Sequence, residues 1–307
     1  MHSFLLVRNQ LFQFFMMMTV GYLAAKTGTA SSAFLEGLSK LILRVLMPIL
    51  IFANATNHTS RAQLFACSPI LLLSIGMYVG LVLTFFLAAK AAGLKGEQNR
   101  VYRASMIFGN AGFIGIPLLL ALFPEKGGIY ITLMSIIDQT FLWTYGLQLT
   151  TPKAEKAAFN PKNFLNPALC AVGLAVFVLL LNIPMPAVLS APLLTIGRAA
   201  TPLSLLYLGG LLYFCDWKPV LKKKELYLGI LIKMLLFPIV FFYLASLFTT
   251  DKDMVLAMTV IAALPTMTSI AMFAKSKDNE GEYALGIVLV TTLACLATLP
   301  IVSYILF

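Results

Sequence analysis

The chain reads as an all-α polytopic membrane protein: ten transmembrane helices in two inverted five-helix repeats, with helices four and nine broken and crossed. Three observations predict this. Of 307 residues, 60% are hydrophobic and 11% charged, against about 45–50% and about 25% in soluble domains, and the mean hydropathy is +0.91. Apolar runs recur along the whole length, each near the ~20 residues that cross roughly 30 Å of hydrocarbon at 1.5 Å per residue. The second half echoes the first at a nearly constant offset, and an interruption recurs at the equivalent place in each.

In order, the apolar segments cover about 9–25, 38–55, 67–92, 104–123, 128–149, 163–182, 192–214, 226–248, 254–274 and 283–306. The first is a span rather than a signal peptide, because its cleavage site is weak and nine spans follow. Gly, Pro, Asn and Asp cluster in the joints, as in Asn182-Ile-Pro-Met-Pro186. Segment four holds Phe108-Gly-Asn-Ala-Gly-Phe-Ile-Gly-Ile-Pro117. Gly109, Gly112 and Gly115 weaken helical backbone, Pro117 removes a donor, and Asn110 adds an amide that hydrocarbon does not satisfy. Broken backbone at membrane depth survives only inside protein or facing a watery cavity.

Lys and Arg set the orientation. With the N-terminus outside, fifteen of the 22 fall in inner connections and four in outer ones. Both termini are therefore expected outside the cytoplasm, in a cell (inner) membrane. The net charge of +10 is a topology signal, with the lipid bilayer rather than nucleic acid as partner. Arg44, Arg198 and Lys233 lie inside spans. Arg44 and Lys233 are read as about seven residues in, close enough to snorkel to headgroups, or, for the arginines, as a path that attracts anions. Trp143, Tyr145 and Trp217 fit an aromatic belt.

Arg44-Val-Leu-Met-Pro48 recurs as Arg198-Ala-Ala-Thr-Pro202, an offset of 154 that also carries the five early spans onto the five late ones. Two halves of five spans, 1–150 and 163–307 around a cytoplasmic linker 151–162, must lie in the membrane with opposite orientation, as in secondary transporters. Segment nine should then break too, and it holds Leu264-Pro265-Thr266-Met267-Thr268-Ser269. Half-helices starting after each break aim N-termini, each worth roughly +0.5 charge, at the midplane. A carboxylate is the natural guest. The substrate-binding candidates are Asn110, Gly112, Gly115, Pro117, Pro265, Thr266, Thr268 and Ser269. Asn110 either binds or caps its half-helix, or does both.

Asp138 is the one acid of twelve deep in a span, and an intramembrane acid is a functional candidate. With Gln139 it is read as an H+ or Na+ coupling site, or alternatively as the ion-pair partner of Lys233. The four cysteines lack Cys-x-x-Cys spacing and the only histidines are His2 and His58, so neither a metal site nor a cofactor is expected. No enzyme motif is present, leaving a carrier, or a channel or sensor of transporter fold.

These residues resemble the auxin efflux carrier family, which includes plant PIN carriers and bacterial organic-acid permeases. The resemblance rests on Gly109–Leu118, Ala263-Leu-Pro265, Ala271-Met-Phe-Ala-Lys275, Ala297-Thr-Leu-Pro-Ile301 and Arg44-x-x-x-Pro48, and covers essentially the whole chain. Leu264 and Thr266 flank Pro265 where the family has a second asparagine. The resemblance implies a scaffold domain (about 9–55 and 163–214), a transport domain (about 67–149 and 226–306), elevator-like movement between them, and a homodimer through the scaffold. It implies a small organic anion, such as malate or malonate, as substrate. An uncharged or amino-acid-like solute is the alternative.

Overall fold

The computed structural model describes residues 2–57, 60–155 and 166–306. Residues 156–162 of the expected linker, with Lys156 and Lys162, lie outside the described residues, as do His58 and the first positions, 163–165, of the sixth apolar segment. The described chain is all-helical. Its helices are α1 (His2–Lys26), α2 (Ser32–Thr56), α3 (Arg61–Ala91), α4 (Gly96–Ile107), α5 (Ala111–Leu122), α6 (127–150), α7 (Pro167–Leu180), α8 (Ala187–Phe214), α9 (Lys224–Ala245), α10 (Lys252–Ala262), α11 (Thr268–Ser276) and α12 (Gly281–Leu306). Five of these, α2, α3, α8, α9 and α12, are long and apolar enough to cross a membrane. Large apolar side chains such as Leu72, Val188 and Phe248 stand on the outer surface, as a lipid-facing molecule requires.

Local chemistry sets the helix ends. Ser31 caps α2 by accepting from the Phe34 N–H. Ser60 and Gln63 form a reciprocal capping box on α3, and Asp251 accepts from the Met254 N–H at the start of α10. Prolines leave a regular mark inside helices. The π-helical turns Ile42–Leu46, Ala111–Gly115 and Ile232–Leu236 are each centred on the residue four before a proline: Pro48, Pro117 and Pro238. A proline cannot bond that carbonyl and clashes with it, and a widened turn relieves the clash. Leu142–Gly146 in α6 is also π-helical without a proline behind it.

Helix α1 packs along α8, and α2 lies between α7 and α8. Backbones approach closely there: a Cβ on Gly21 would sit 2.0 Å from the Leu206 carbonyl oxygen, and one on Gly209 1.9 Å from that of Met18. Helix α3 lies against α4 and α6, α9 against α10, and α11 against α12. Contacts of α2 and α7 with α6, and of α1 with α5, join the two sets.

The ends of α4 and α10 are tied to the opposite half of the chain. The Asn279 side-chain amide, in the turn before α12, donates to Glu97 Oε2 (3.1 Å) and the Thr150 carbonyl (2.9 Å). Lys126 bridges Asp251 (3.6 Å) and Asp253 (3.5 Å) before and within α10. Burial works against the Lys126 ammonium, but the two carboxylates outweigh it and hold its pKa above the ordinary lysine value.

Candidate functional site

The two expected breaks exist and touch. Helix α4 stops at Ile107 and α5 starts at Ala111; α10 stops at Ala262 and α11 starts at Thr268. Between them the extended segments pair antiparallel at Gly109 and Thr266. The Asn110 N–H donates to the Pro265 carbonyl (2.7 Å) and the Met267 N–H to the Phe108 carbonyl (2.9 Å). Each break thus satisfies part of the other's backbone, which makes non-helical chain tolerable in an apolar interior. The crossing is tight: a Cβ on Gly109 would lie 3.3 Å from both the Ile261 carbonyl oxygen and Leu264 Cβ, and one on Gly115 2.7 Å from Leu264 Cδ1. Thr266 is fully buried; its hydroxyl donates to the Ser105 carbonyl (2.8 Å) and its N–H to Thr291 Oγ1 (3.1 Å).

A cavity of about 660 Å³ opens beside the crossing, lined by α2, α5, α6 and α11 and by the start of α7. Of the sequence-predicted residues it gathers Asn110, Gly112, Thr268, Ser269, Asp138, Gln139 and Arg44. Gly115, Pro117, Pro265, Thr266 and Arg198 do not line it. The first four of these shape the crossing and the half-helices behind the wall.

Asn110 does cap α5: its Oδ1 accepts from the Phe113 N–H (3.1 Å), while its amide reaches Thr268 Oγ1 at 3.5 Å. The N–H groups of Gly112, Thr268 and Ser269 find no hydrogen-bond partner among the described residues. They belong to the first turns of two half-helices, where intrahelical partners do not exist. Two helix N-termini therefore present free donors and partial positive charge to one cavity.

Asp138 is buried, accepting from the Tyr78 hydroxyl and from Gln139 Nε2 (2.9 Å). Gln139 Oε1 accepts in turn from the Trp143 indole (3.3 Å), whose ring packs 5.0 Å from that of Phe273. Trp143 is thus a cavity wall, which corrects its reading as a lipid-belt residue; Tyr145 is half-buried outside the cavity, its hydroxyl accepting from Arg103. Lys233 also departs from expectation. It does not snorkel: it is 1% exposed, and its ammonium donates to the Phe108 carbonyl (3.0 Å) at the crossing. Among the described residues it makes no direct ion pair with Asp138 and bonds the crossing instead, although the two buried opposite charges lie close enough to attract each other.

Sequence reasoning missed Lys40, Ser135, Trp143 and Asn166 as cavity residues. Ser135 and Trp143 were within reach of it. Ile131, Ser135, Asp138, Leu142 and Trp143 recur at helical spacing on one face of α6, so the face of Asp138 names them. Lys40 and Asn166 carry no comparable signal, because helix ends meet there from distant parts of the chain.

A model of the membrane transport protein family matches residues 6–303. The "Putative malonate transporter" of Rhizobium meliloti is 25% identical over 317 aligned positions, covering 95% of this chain and 93% of that one. An uncharacterized transporter of Methanocaldococcus jannaschii is 27% identical over 131 residues, 41% of this chain and 42% of its own length, which is less than two thirds. With paired helix breaks, lipid-facing apolar surfaces and a near-complete family match, the chain is a multi-pass membrane protein that belongs to the membrane transport protein family, the auxin efflux carrier-like group whose signatures its sequence carries.

Proposed function

We propose that the protein is a secondary transporter of a small organic anion, a mono- or dicarboxylate of the size of malate or malonate, working by elevator-like alternating access. The observation that carries this reading is the convergence of the unpartnered Gly112, Thr268 and Ser269 N–H groups on one cavity. Fixed donors at two helix ends replace the hydration a carboxylate gives up on entering. Asn110, held by its cap, adds an amide, and Arg44 adds a cation on the facing wall. Full-length similarity to a chain named for malonate points the same way.

In this reading the helices form ten spans in two inverted five-span repeats, α4–α5 and α10–α11 being the crossed fourth and ninth, with both termini outside the cytoplasm. Helices α1, α2, α7 and α8 make the scaffold, through which a homodimer forms, and the others move. The cavity walls drawn from both sets support this division. Lys40, Asn166 and Ser276, at cytoplasmic ends under this topology, rim the cavity, so the arrangement is inward-open. Asp138 with Gln139 carries the coupling H+ or Na+, and no chemistry is done on the solute.

Proteoliposomes preloaded with unlabelled malonate or malate test this. A carrier draws labelled carboxylate in by counterflow. Conductance without counterflow would make the protein a channel, and counterflow competed only by uncharged or amino-acid solutes would replace the substrate class.

A further inference from the structure

Arg44 and Arg198 are embedded in one local pattern, arginine four residues before a proline. The carbonyl that the proline leaves unbonded is the arginine's own. Helix α2 responds with a π-helical turn centred on Arg44, and α8 with an interruption at Ala199, directly after Arg198. Each arginine thus sits at a distortion in the middle of a long helix, twelve residues past Ser32 and eleven past Ala187, not near an end. A cation without a partner inside an apolar run marks a functional position. Both side chains are exposed, and neither has an ion pair or hydrogen bond among the described residues. Lys40, one turn from Arg44, is by contrast paired with Glu36 at 2.6 Å.

The two arginines stand at different heights. Gly197 backs onto α2 so closely that a Cβ would lie 2.8 Å from Leu50 Cα. Arg198 is therefore level with Leu50, and Arg44 lies six residues away, about 9 Å along α2. Arg44 lines the cavity and Arg198 does not.

We propose that Arg44 and Arg198 are side-specific contacts for the carboxylate. Arg44 serves the cavity open in this structure, and Arg198 serves the matching cavity that opens on the opposite face. The proposal rests on the alternating-access reading above. A guanidinium binds a carboxylate through two parallel hydrogen bonds. Placed on helices that do not travel with the substrate, one such group meets the anion at each end of its path and is left behind in between. Neither arginine then holds the anion throughout the cycle, as a single deep cation would.

Exchange of labelled malonate and malate, measured from each face in right-side-out and inside-out membrane vesicles with the opposite face saturated, tests this. Arg44→Gln should raise the apparent KM at the cytoplasmic face about tenfold or more and leave the outer face nearly unchanged. Arg198→Gln should do the reverse. Arg44→Lys and Arg198→Lys, which keep the charge without the fork, should fall between and guard against a folding defect in the Gln variants. Equal rises at both faces, or no change at either, would overturn the assignment while exchange by the unaltered protein persists. No exchange of any carboxylate by the unaltered protein would overturn it together with the functional reading.

Discussion

Asp138 shows how a single side chain carries different information in sequence and in space. Its depth in an apolar segment marks it without any structure. Its partners, Tyr78 from α3 and Gln139 beside it, are set by how α3 lies against α6. Those two donors point at the carboxylate, which lies on the cavity wall; under the proposed function this is where a coupling proton or sodium ion binds. Asp138→Asn keeps the shape and removes the negative charge. Uptake driven by an imposed H+ or Na+ gradient should then fall to the counterflow level, with counterflow itself retained. Undiminished accumulation against a gradient would remove Asp138 from coupling. Lys233 makes the complementary point. Its position in a span is plain in the sequence, but its acceptor, the Phe108 carbonyl, exists only because α4 ends there and α9 passes behind it.

At the scale of elements, prolines and glycines divide the work. Proline positions fix where helices widen: Pro48, Pro117 and Pro238 each follow a π-helical turn. The break in segment four, however, falls at Phe108–Asn110, upstream of Pro117, because pairing with the second break stabilises extended backbone there. Glycines matter where backbones touch. Gly21→Ala places a methyl against the Leu206 carbonyl of α8, a backbone atom that no rotamer change can move. It should lower stability by about 1–3 kcal/mol, seen as a reduced thermal midpoint in detergent. Gly76→Ala, with nothing within 4 Å of its new Cβ, should leave the midpoint near the parent value and serves as the control. Equal midpoints for the two variants would mean that α1 and α8 do not pack this way.

For the whole molecule, the telling contact lies between the proposed scaffold and the proposed moving part. Gly128 of α6 backs onto α2, where a Cβ would meet the Asn54 carbonyl oxygen at 2.6 Å. This close approach lies toward the end of α2 away from Lys40; under the alternating-access reading it closes the path opposite the cavity mouth. Gly128→Ala should disfavour the arrangement seen here. In a background without the four native cysteines, a Ser269→Cys probe in the cavity should then react several-fold more slowly with a membrane-impermeant thiol reagent added from the cytoplasmic side. An unchanged rate would show that this contact does not help hold the cavity open to that side.

The sequence by itself determined the class of the molecule, the places where its helices lie, the existence of two breaks and the family. These follow from hydropathy, from the backbone limits of glycine and proline, and from short motifs, all of which act over a few neighbouring residues. The tertiary structure decided how the breaks meet. Residues 157 positions apart meet at Gly109 and Thr266, and helix starts from separate halves place residues with unpartnered N–H groups on one cavity. It also divided the candidates, putting Thr268 on the cavity and Thr266 behind it, and Arg44 inside and Arg198 out. The physical reason is that hydrogen-bond satisfaction and packing are settled between segments distant in the chain, and no local pattern records which of two neighbouring hydroxyls will face the water.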